Sequence, residues 1–349
     1  MKHKGQIKYL SIGIFQYRKP CYNGPVFMEK VPEGFCTIEA PCKINLHLSI
    51  GERRPDGFHS LESIFASLAL GDTLRFKCTK KGDSHLFMNW DMPGEFIPER
   101  PISPEKNLVL RAVSLFRQQT GFKNGLDIRL DKRIPAGSGL GGGSSDAAST
   151  LLALNLLAGT MLPMEKLMEM AALLGSDVPF FLTGGAAFVS GRGERVEAVK
   201  APKGLWVVLS KPPISIDTAS AFRLLDQARE SRTGGGYAIG EEKSKGSLKK
   251  ALSKKALSKK GLIQALGEDP GIWPFCNDFQ SLFDPIPVLE DLRKTGASFS
   301  GLSGSGSCCF GVFKSKGAAE KAVKELSGPE NYVKLTFFLA QKAKPIVEY

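Results

Sequence analysis

The sequence predicts an α+β protein of two domains, and three observations support this prediction. The chain has 349 residues, and domains most often have about 100–200 residues. In the last part of the chain, strand-like and helix-like segments alternate, which is typical of a small two-layer α+β domain. Near residue 140, a strand-like segment leads through a glycine-rich run into an apolar helix. We place the first domain at residues 28–203 and the second at residues 204–349.

The first domain begins with extended segments. Residues 35–50 alternate apolar and polar side chains well enough to form one long strand or a strand pair. Residues 71–90 predict two strands around a turn, and residues 125–135 predict a further strand. Helical spacing of apolar residues predicts three helices, at residues 106–121 (stopping at Gly121), 151–158 and 164–174.

The second domain starts with an apolar strand at residues 205–213, which two prolines end. Its last part alternates helix and strand, with a helix at 287–296, two strands around a glycine-serine turn at 297–313, a helix at 317–328 and a strand at 332–340.

Residues 224–270 change in composition and contain a five-residue lysine repeat. A period of five does not keep the leucines of the repeat on one helix face. We therefore interpret it as an exposed lysine-rich helix or a partly disordered insertion. Contact with a membrane or RNA is the alternative.

The net charge of +12 at pH 7 is confined to two segments. Residues 1–27 carry five basic and no acidic residues, and residues 243–260 carry eight lysines and no acidic residue. The rest of the chain is close to neutral, which disfavours a general role in binding nucleic acid. Residues 1–27 are either a basic N-terminal extension or the product of a start codon chosen upstream of Met28. If mass spectrometry of the protein from its natural source finds an N-terminus at Met1, the hypothesis that Met28 is the true start is excluded.

The sequence indicates neither a membrane protein nor a zinc site. The longest apolar runs are far shorter than the roughly 20 residues that cross a bilayer, and the N-terminal segment lacks a signal-peptide core. We therefore expect a cytoplasmic protein without a membrane partner. Seven cysteines without a CxxC pair predict reduced thiols, and four histidines show no metal-ligand spacing. The oligomeric state is left open.

The segment IPAGSGLGGGSSDAAST, residues 134–150, predicts a phosphate-binding loop. Glycines let the backbone approach a ligand and adopt positive φ angles, and a helix start supplies unpaired N–H groups that attract phosphate. Ser144 or Ser145 is well placed to cap the helix. No lysine follows the last glycine, so this is not a Walker A loop, and the spacing does not fit GxGxxG. A linker or a tightly packed turn is the alternative.

Five ordered motifs resemble the GHMP kinases, a family that includes galactokinase and homoserine and mevalonate kinases. They are the glycine-rich motif Pro135–Ala148, the strand APCKINLHL at Ala40–Leu48, the segments Arg53–Phe65 and Gly301–Phe313, and GSDVPFFL at Gly175–Leu182. The similarity covers the chain from Phe35 onward, except for the lysine-rich insertion. It implies an N-terminal domain like ribosomal protein S5 and a ferredoxin-like C-terminal domain.

This resemblance implies an enzyme that uses ATP and Mg²⁺ to phosphorylate an alcohol. The branch of the family that the motifs match best acts on the 2-hydroxyl of a methylerythritol linked to cytidine diphosphate, in non-mevalonate isoprenoid synthesis. Ser145 is a candidate to help hold magnesium, and no second metal ligand is evident. The ATP-binding residues that the resemblance implies are Pro135, Ala136, Gly137, Ser138, Gly139, Leu140, Gly141, Gly142, Gly143, Ser144 and Ser145.

The resemblance assigns catalysis to Asp177, as general base on the acceptor hydroxyl, and to Lys43, as its electrostatic partner. Asp177 follows a turn of small residues, and Lys43 is the cation of an otherwise apolar strand. A capping aspartate and a solvent-facing lysine are the alternatives. Asn45 lies on the same strand face as Lys43, because side chains alternate with a period of two. We expect it to reach the acceptor.

The acceptor site is predicted from weaker signals. Phe58 and His59 follow an Asp-Gly turn. The resemblance implies that they bind the cytosine of the substrate, Phe58 by stacking and His59 by hydrogen bonding. The family usually has tyrosine where this chain has Phe58, so stacking is kept but a phenol hydrogen bond is lost. Thr218 is a further candidate for the acceptor pocket, and Gly304 and Gly306 are candidates for closing over the phosphates.

Two other functions stay open at this point. One is a GHMP kinase with a small acceptor, such as homoserine or mevalonate. Such an acceptor has no nucleobase that Phe58 and His59 could bind. A nucleotide- or RNA-binding regulator that uses the lysine repeat would need neither Lys43 nor Asp177, because a protein that only binds needs no general base.

Overall fold

The computed structural model describes residues 35–233, 258–283, 285–328, 331–342 and 345–348. The predicted extension at residues 1–27 and most of the lysine repeat at 243–260 lie outside these ranges. Within them the chain forms two β-sheets with helices packed against them, which confirms the predicted α+β class. None of the helices in these ranges is both long enough and apolar enough to cross a bilayer.

A long antiparallel pair of strands forms the centre of the first sheet. Strand β1 (Phe35–Arg53) pairs with β2 (His59–Lys81) along nearly its full length. The segment predicted at residues 35–50 is therefore one continuous strand rather than a strand pair. The other strands of this sheet are β3 (Ser84–Trp90), β4 (Asn124–Lys132), β5 (Ala186–Gly191), β6 (Arg195–Val199) and β11 (Ile346–Glu348).

Strand β2 is long enough to have two neighbours on its second edge. Its first half pairs with β5 and its second half pairs with β4. Strand β3 runs parallel to β4, and β6 pairs with β5. Strand β11 returns from the last described residues to pair with the start of β1.

Four helices pack against the first sheet and share one apolar core with it. Helix α1 stops at Gly121, as predicted, and Gly121 has a φ of 72°. The start predicted for the next helix, residue 151, is wrong, because that helix begins at Gly142 within the glycine run. The four helices are α1 (Leu108–Thr120), α2 (Gly142–Leu157), α3 (Met164–Leu174) and α4 (Val178–Thr183).

The second sheet is antiparallel and consists of β7 (Trp206–Lys211), β8 (Phe299–Leu302), β9 (Cys309–Phe313) and β10 (Tyr332–Phe337). Its helices are α5 (Thr218–Thr233), α6 (Lys259–Ala265), α7 (Pro287–Lys294) and α8 (Lys316–Leu326). The strand order β10-β7-β9-β8, with helices after β7 and β9, is the expected ferredoxin-like arrangement. The boundary at residues 203 and 204 stays a prediction, since β11 rejoins the first sheet.

Strand β1 contributes to three cores, the third of them through Leu48 and Ile50 near its end. Its even-numbered residues Cys36 to Ala40 belong to the core under the helices, whereas Cys42, Ile44 and Leu46 belong to the core shared with the second sheet. A register shift between β1 and β2 lies between Pro41 and Lys43, at the point where the core changes. Because side chains alternate along a strand, Lys43 and Asn45 point away from the core shared with the second sheet.

Candidate active site

The glycine run forms a loop with left-handed backbone at alternate residues. Gly137, Gly139 and Gly141 have φ angles of 59°, 76° and 72°, a region that residues with a Cβ rarely adopt. Gly141 is the N-cap of α2, so the prediction of Ser144 or Ser145 as the cap is wrong. Both serines lie inside the first turn, because the left-handed glycine lets the helix begin three residues earlier than Ser145.

The start of α2 has no side-chain cap. Gly141 makes no capping hydrogen bond, and the first helical bond at this end is the 2.9 Å contact from Ser145 N to Gly141 O. The N–H groups of Gly142, Gly143 and Ser144 therefore have no partner within the helix. Together with the partial positive charge at a helix N-terminus, these groups are suited to hold an anion such as phosphate.

A cavity of about 470 Å³ joins the loop to the other predicted residues. Among the residues predicted to bind ATP, only Leu140 and Ser145 do not line it, and both are buried. Thr218 lies on its wall and is 3.1 Å from Ser305, Oγ1 to Oγ. The cavity lining also includes Lys43, Asn45, Asp177, Phe222 and Gly304.

The second glycine turn, after β8, packs directly against the loop. Ser303 Oγ donates to the carbonyl oxygen of Gly139 at 2.9 Å, and Cys308 N donates to Ser138 O at 3.1 Å. Asn277 Nδ2 supports the turn through bonds to Leu302 O (2.7 Å) and a further carbonyl of the turn. Loop and turn thus form one unit, although they are far apart in sequence.

Gly139→Ala is expected to destabilise the protein more than Gly121→Ala. Both glycines have a similar positive φ, so both variants carry the left-handed penalty of about 1–2 kcal/mol. A Cβ on Gly139 would lie 2.0 Å from Ser303 O, whereas Gly121 has nothing within 4 Å. Urea unfolding should therefore show an additional loss of about 1–3 kcal/mol for the Gly139 variant. Equal losses in the two variants would contradict a tight contact between loop and turn.

Lys43 and Asp177 come together across the cavity wall. Lys43 Nζ is 3.5 Å from Asp177 Oδ2, and their side chains are 4% and 33% exposed. Asp177 is the N-cap of α4 but makes no side-chain capping bond, so its carboxylate is not used to cap the helix. The ammonium group also lies 4.6 Å from the ring centroid of Phe65. A buried cation thus faces a carboxylate that solvent and ligands reach.

The amide of Asn45 is fixed by its neighbours. Asn45 Oδ1 accepts a 2.6 Å hydrogen bond from Lys43 Nζ, and Asn45 Nδ2 donates to Ser63 Oγ at 3.0 Å. Ser63 Oγ in turn donates to the carbonyl of His47. Lys43 and Asn45 share one strand face, as the strand period predicts, and Asn45 holds the ammonium in place.

A buried ionic cluster behind the loop was not predicted from the sequence. Lys132 Nζ contacts Asp72 and lies 2.7 Å from Asp146 Oδ2, and all three side chains are buried. The second oxygen of Asp72 accepts bonds from the backbone N–H groups of residues 133 and 134. The cluster therefore joins β2, β4 and the N-terminal part of α2. Asp146, the charged residue in an otherwise uncharged helix, is the sequence signal that would have revealed it.

The cluster changes the acidity of Lys132 and Asp146. Burial raises the pKa of Asp146 to about 7, although the ammonium of Lys132 acts in the opposite direction. Burial alone would lower the pKa of Lys132, but the two carboxylates outweigh this effect and raise it. The second oxygen of Asp146 has no hydrogen-bond partner among the described residues. The N-terminal part of α2 thus contains a buried oxygen next to the cavity.

The predicted base-binding pair lies beside the cavity rather than in its lining. Phe58 is 54% exposed, and the guanidinium of Arg192 lies 5.1 Å from its ring centroid. His59 is buried and is stacked on Phe222, with ring centroids 5.2 Å apart. Because Phe222 itself lines the cavity, its ring separates His59 from that space.

Comparison with known proteins identifies the family. Two family models match the chain, GHMP kinases N terminal domain at residues 107–185 and GHMP kinases C terminal at residues 286–330. A 4-diphosphocytidyl-2-C-methyl-D-erythritol kinase from Burkholderia pseudomallei (strain 668) is 38% identical over 296 residues, which cover 82% of this chain and 88% of that protein. One from Burkholderia thailandensis is 46% identical over 193 residues, which cover 55% of this chain and 62% of that protein.

A solved structure agrees with these relatives. The crystal structure of 4-(cytidine 5'-diphospho)-2C-methyl-D-erythritol kinase is 31% identical to this chain and superposes with a TM-score of 0.63, covering 86% of this chain and 98% of that one. The resemblance and the fold predicted from the five motifs are confirmed. The chain therefore belongs to the GHMP kinases, in the family of 4-diphosphocytidyl-2-C-methyl-D-erythritol kinases, which are phosphotransferases that act on an alcohol.

Proposed function

We propose that this protein transfers the γ-phosphoryl group of ATP to the 2-hydroxyl of 4-diphosphocytidyl-2-C-methyl-D-erythritol, in non-mevalonate isoprenoid synthesis. The observation that carries the proposal is the pair of Lys43 and Asp177, 3.5 Å apart, on a cavity that the glycine loop and the start of α2 also line. The 38% identity to kinases of that name supports the substrate.

The residues at the start of α2 are chemically suited to bind the phosphoryl donor and its metal ion. GHMP kinases use ATP, generally with Mg²⁺, and the free N–H groups at the start of α2 are suited to its phosphates. Two oxygens near the start of α2, Ser145 Oγ and Asp146 Oδ1, are buried without a hydrogen-bond partner in the described part of the chain. Oxygen ligands suit Mg²⁺, so these two side chains are the proposed holders. Magnesium bound there neutralises phosphate charge.

In the proposed reaction, Asp177 is the general base. Its carboxylate accepts the proton of the acceptor hydroxyl while the hydroxyl oxygen bonds to the γ-phosphorus and ADP leaves. Lys43 stabilises the negative charge that develops on the transferred oxygens. Asn45 positions Lys43 through their 2.6 Å hydrogen bond, and the first turn of α2 holds the phosphates in line.

The acceptor would extend from the catalytic pair towards Phe58 and His59. We assign Asn45 and Thr218 to the methylerythritol part, Phe58 to stacking on cytosine and His59 to hydrogen bonding with the base. The exposed ring of Phe58 supports stacking. His59 lies under Phe222, so in this proposal a bound base displaces part of helix α5.

The protein is expected to phosphorylate 4-diphosphocytidyl-2-C-methyl-D-erythritol with ATP, and cytidine diphosphate should inhibit competitively against that acceptor. The physical reason is that Phe58 and His59 offer a stacking surface and a polar contact, which a small acceptor would not use. A coupled assay of ADP release measures both effects, with homoserine and mevalonate as control acceptors. Turnover of a control acceptor without inhibition by cytidine diphosphate would exclude the proposed substrate.

A further inference from the structure

Lys211, the last residue of β7, is a buried cation whose hydrogen-bond acceptors are backbone carbonyls. Lys211 is 2% exposed, and its Nζ atom donates to the carbonyl oxygens of Pro212 at 3.1 Å and Ile214 at 2.7 Å. The ring of Phe96 lies against the same group, with its centroid 5.2 Å from Nζ. Burial lowers the pKa of Lys211, and no carboxylate among the described residues pairs with it. Because burying a charge without a counter-ion is costly, this lysine is a candidate for a role other than stability of the fold.

Both carbonyls belong to residues 212–217, the segment that joins β7 to helix α5. Lys211 therefore holds the first half of this segment at two points. Ser307 Oγ, from the second glycine turn, donates to the same oxygen of Ile214 at 2.5 Å. Since a carbonyl oxygen has two lone pairs, these two donors use both of them. The segment is thus fixed by Lys211 from β7 and by Ser307 from the turn.

The rest of the segment packs against the glycine loop and the second glycine turn. A Cβ built on Gly137 would lie 3.4 Å from Ser215 Oγ, and a Cβ built on Gly306 would lie 3.0 Å from Ile216 Cδ1. The first residue after the segment, Thr218, lines the cavity together with Gly137. The segment therefore forms a third side of the unit of loop and turn.

We propose that Lys211 is a positioning residue for nucleotide binding, because its two bonds keep residues 212–217 against the glycine loop that receives the ATP phosphates. This inference rests on the proposed function, in which that loop binds ATP. Lys211 is not among the described residues that line the cavity, so it acts through the segment and not by contact with ATP. Lys43 and Asp177 lie on β1 and at the start of α4, outside the segment.

Loss of the ammonium group would release the segment without removing a group that touches the nucleotide. Pro212 O would lose its bond to Lys211, and Ile214 O would keep only the bond from Ser307. Backbone that is not fixed beforehand must be ordered when ATP binds, and this ordering weakens binding. We therefore expect the affinity for ATP to fall, whereas the rate of transfer from bound ATP should be nearly kept.

Isothermal titration calorimetry on the full chain tests the proposal, with Mg²⁺ and an ATP analogue in which an imido group replaces the β–γ bridging oxygen. Lys211→Met keeps a side chain of similar length and removes the donor. We expect its Kd for the analogue to be about 5- to 50-fold higher than that of the wild type, since two bonds from a cation are lost and the loop must be ordered on binding. The KM for ATP should rise by a similar factor, and kcat should stay within about 3-fold of the wild type.

Two further variants separate positioning from other roles of Lys211. Ser307→Ala removes the other donor to Ile214 O but no charge, and it should raise the Kd in the same direction, by about 2- to 10-fold. Lys321→Met removes an exposed lysine that pairs with Glu325 on α8 at 3.5 Å, and it should leave the Kd unchanged. Thermal unfolding checks that each variant is folded. If Lys211→Met does not fold, the Kd of Ser307→Ala decides the proposal.

The possible outcomes distinguish this inference from the proposed function. A folded Lys211→Met variant with the wild-type Kd, or with a loss confined to kcat, would overturn the role of Lys211 and leave the proposed function intact. A higher Kd in Lys211→Met with an unchanged Kd in Ser307→Ala would also overturn it, because the charge would then act directly and not through residues 212–217. A wild type that neither binds the analogue nor turns over the cytidyl acceptor would overturn the proposed function, and the inference would fail with it. A higher Kd in both variants with kcat nearly kept supports the proposal.

Discussion

Asp177→Asn is expected to lower kcat for phosphoryl transfer by at least about 100-fold, because an amide of nearly the same shape cannot accept the proton of the acceptor hydroxyl. The KM for ATP should change little, since Asp177 faces Lys43 and not the start of α2. Steady-state measurement of ADP release with the cytidyl acceptor checks both values. A near-normal rate in this variant would remove Asp177 from the role of general base.

Two companion variants sharpen this test. Asp131→Asn removes an exposed carboxylate that bonds to Arg75 on the surface, and its kcat should stay within about 2-fold of the wild type. Lys43→Met should also lose most activity, because the ammonium that faces the transferred charge is gone. In the proposed mechanism Lys43 and Asp177 act as one unit, so the double variant should be little worse than the more damaged single variant. If the fold-losses in kcat of the two single variants multiply in the double variant, the two residues do not act as one unit.

Lys132→Met is expected to lower the free energy of unfolding by about 3–5 kcal/mol, because it leaves the carboxylates of Asp72 and Asp146 buried without their cation. The loss should appear in equilibrium unfolding by urea as a lower midpoint. The loss of stability is smaller when Asp146 takes up a proton, because the neutral carboxyl needs no cation. Burial already raises the pKa of Asp146 to about 7. A loss below about 1 kcal/mol would show that the cluster does not stabilise the fold.

A surface pair provides the matched control for this prediction. Lys166 forms an exposed ion pair with Glu169 at 2.9 Å within α3, and Lys166→Met should change the unfolding free energy by no more than about 0.5 kcal/mol. Adding Asp72→Asn and Asp146→Asn to Lys132→Met removes all three charges. This triple variant should recover part of the stability, because no unpaired charge is left in the core.

The fold could be predicted where local patterns and packing agree. The helix at Met164–Leu174 was predicted to the residue, since its apolar spacing matches a helix that packs on one side. The start of α2 was missed because glycine and serine are weak helix formers, and packing in the core overrides that preference. Strands β5 and β6 were also missed. They are short, and β5 pairs with β2, which is far away in the sequence, while β5 and β6 pair with each other as a hairpin.

The candidate site could be predicted only in part, for a similar reason. Lys43 and Asp177 are far apart in sequence, so their contact followed from resemblance and not from any local pattern. The partners of Lys132 come from β2 and α2. The alternation of side chains along a strand predicts the sheet face on which a lysine lies, but it does not predict which residues contact that lysine. The position of His59 under α5 depends on tertiary packing, which residue types near His59 do not reveal. The catalytic and binding roles themselves stay predictions.

The contact between the glycine loop and the second glycine turn has a consequence for how the protein is made. The ribosome synthesises the loop long before Ser303 and Cys308, whose bonds hold Gly139 and Ser138 in the finished molecule. A nascent chain that ends after β6 therefore contains the loop without its support. Because domains generally fold in the order of synthesis, the loop is supported only when the last third of the chain has emerged. In the proposed function, binding of nucleotide to this loop is therefore a late event in biogenesis.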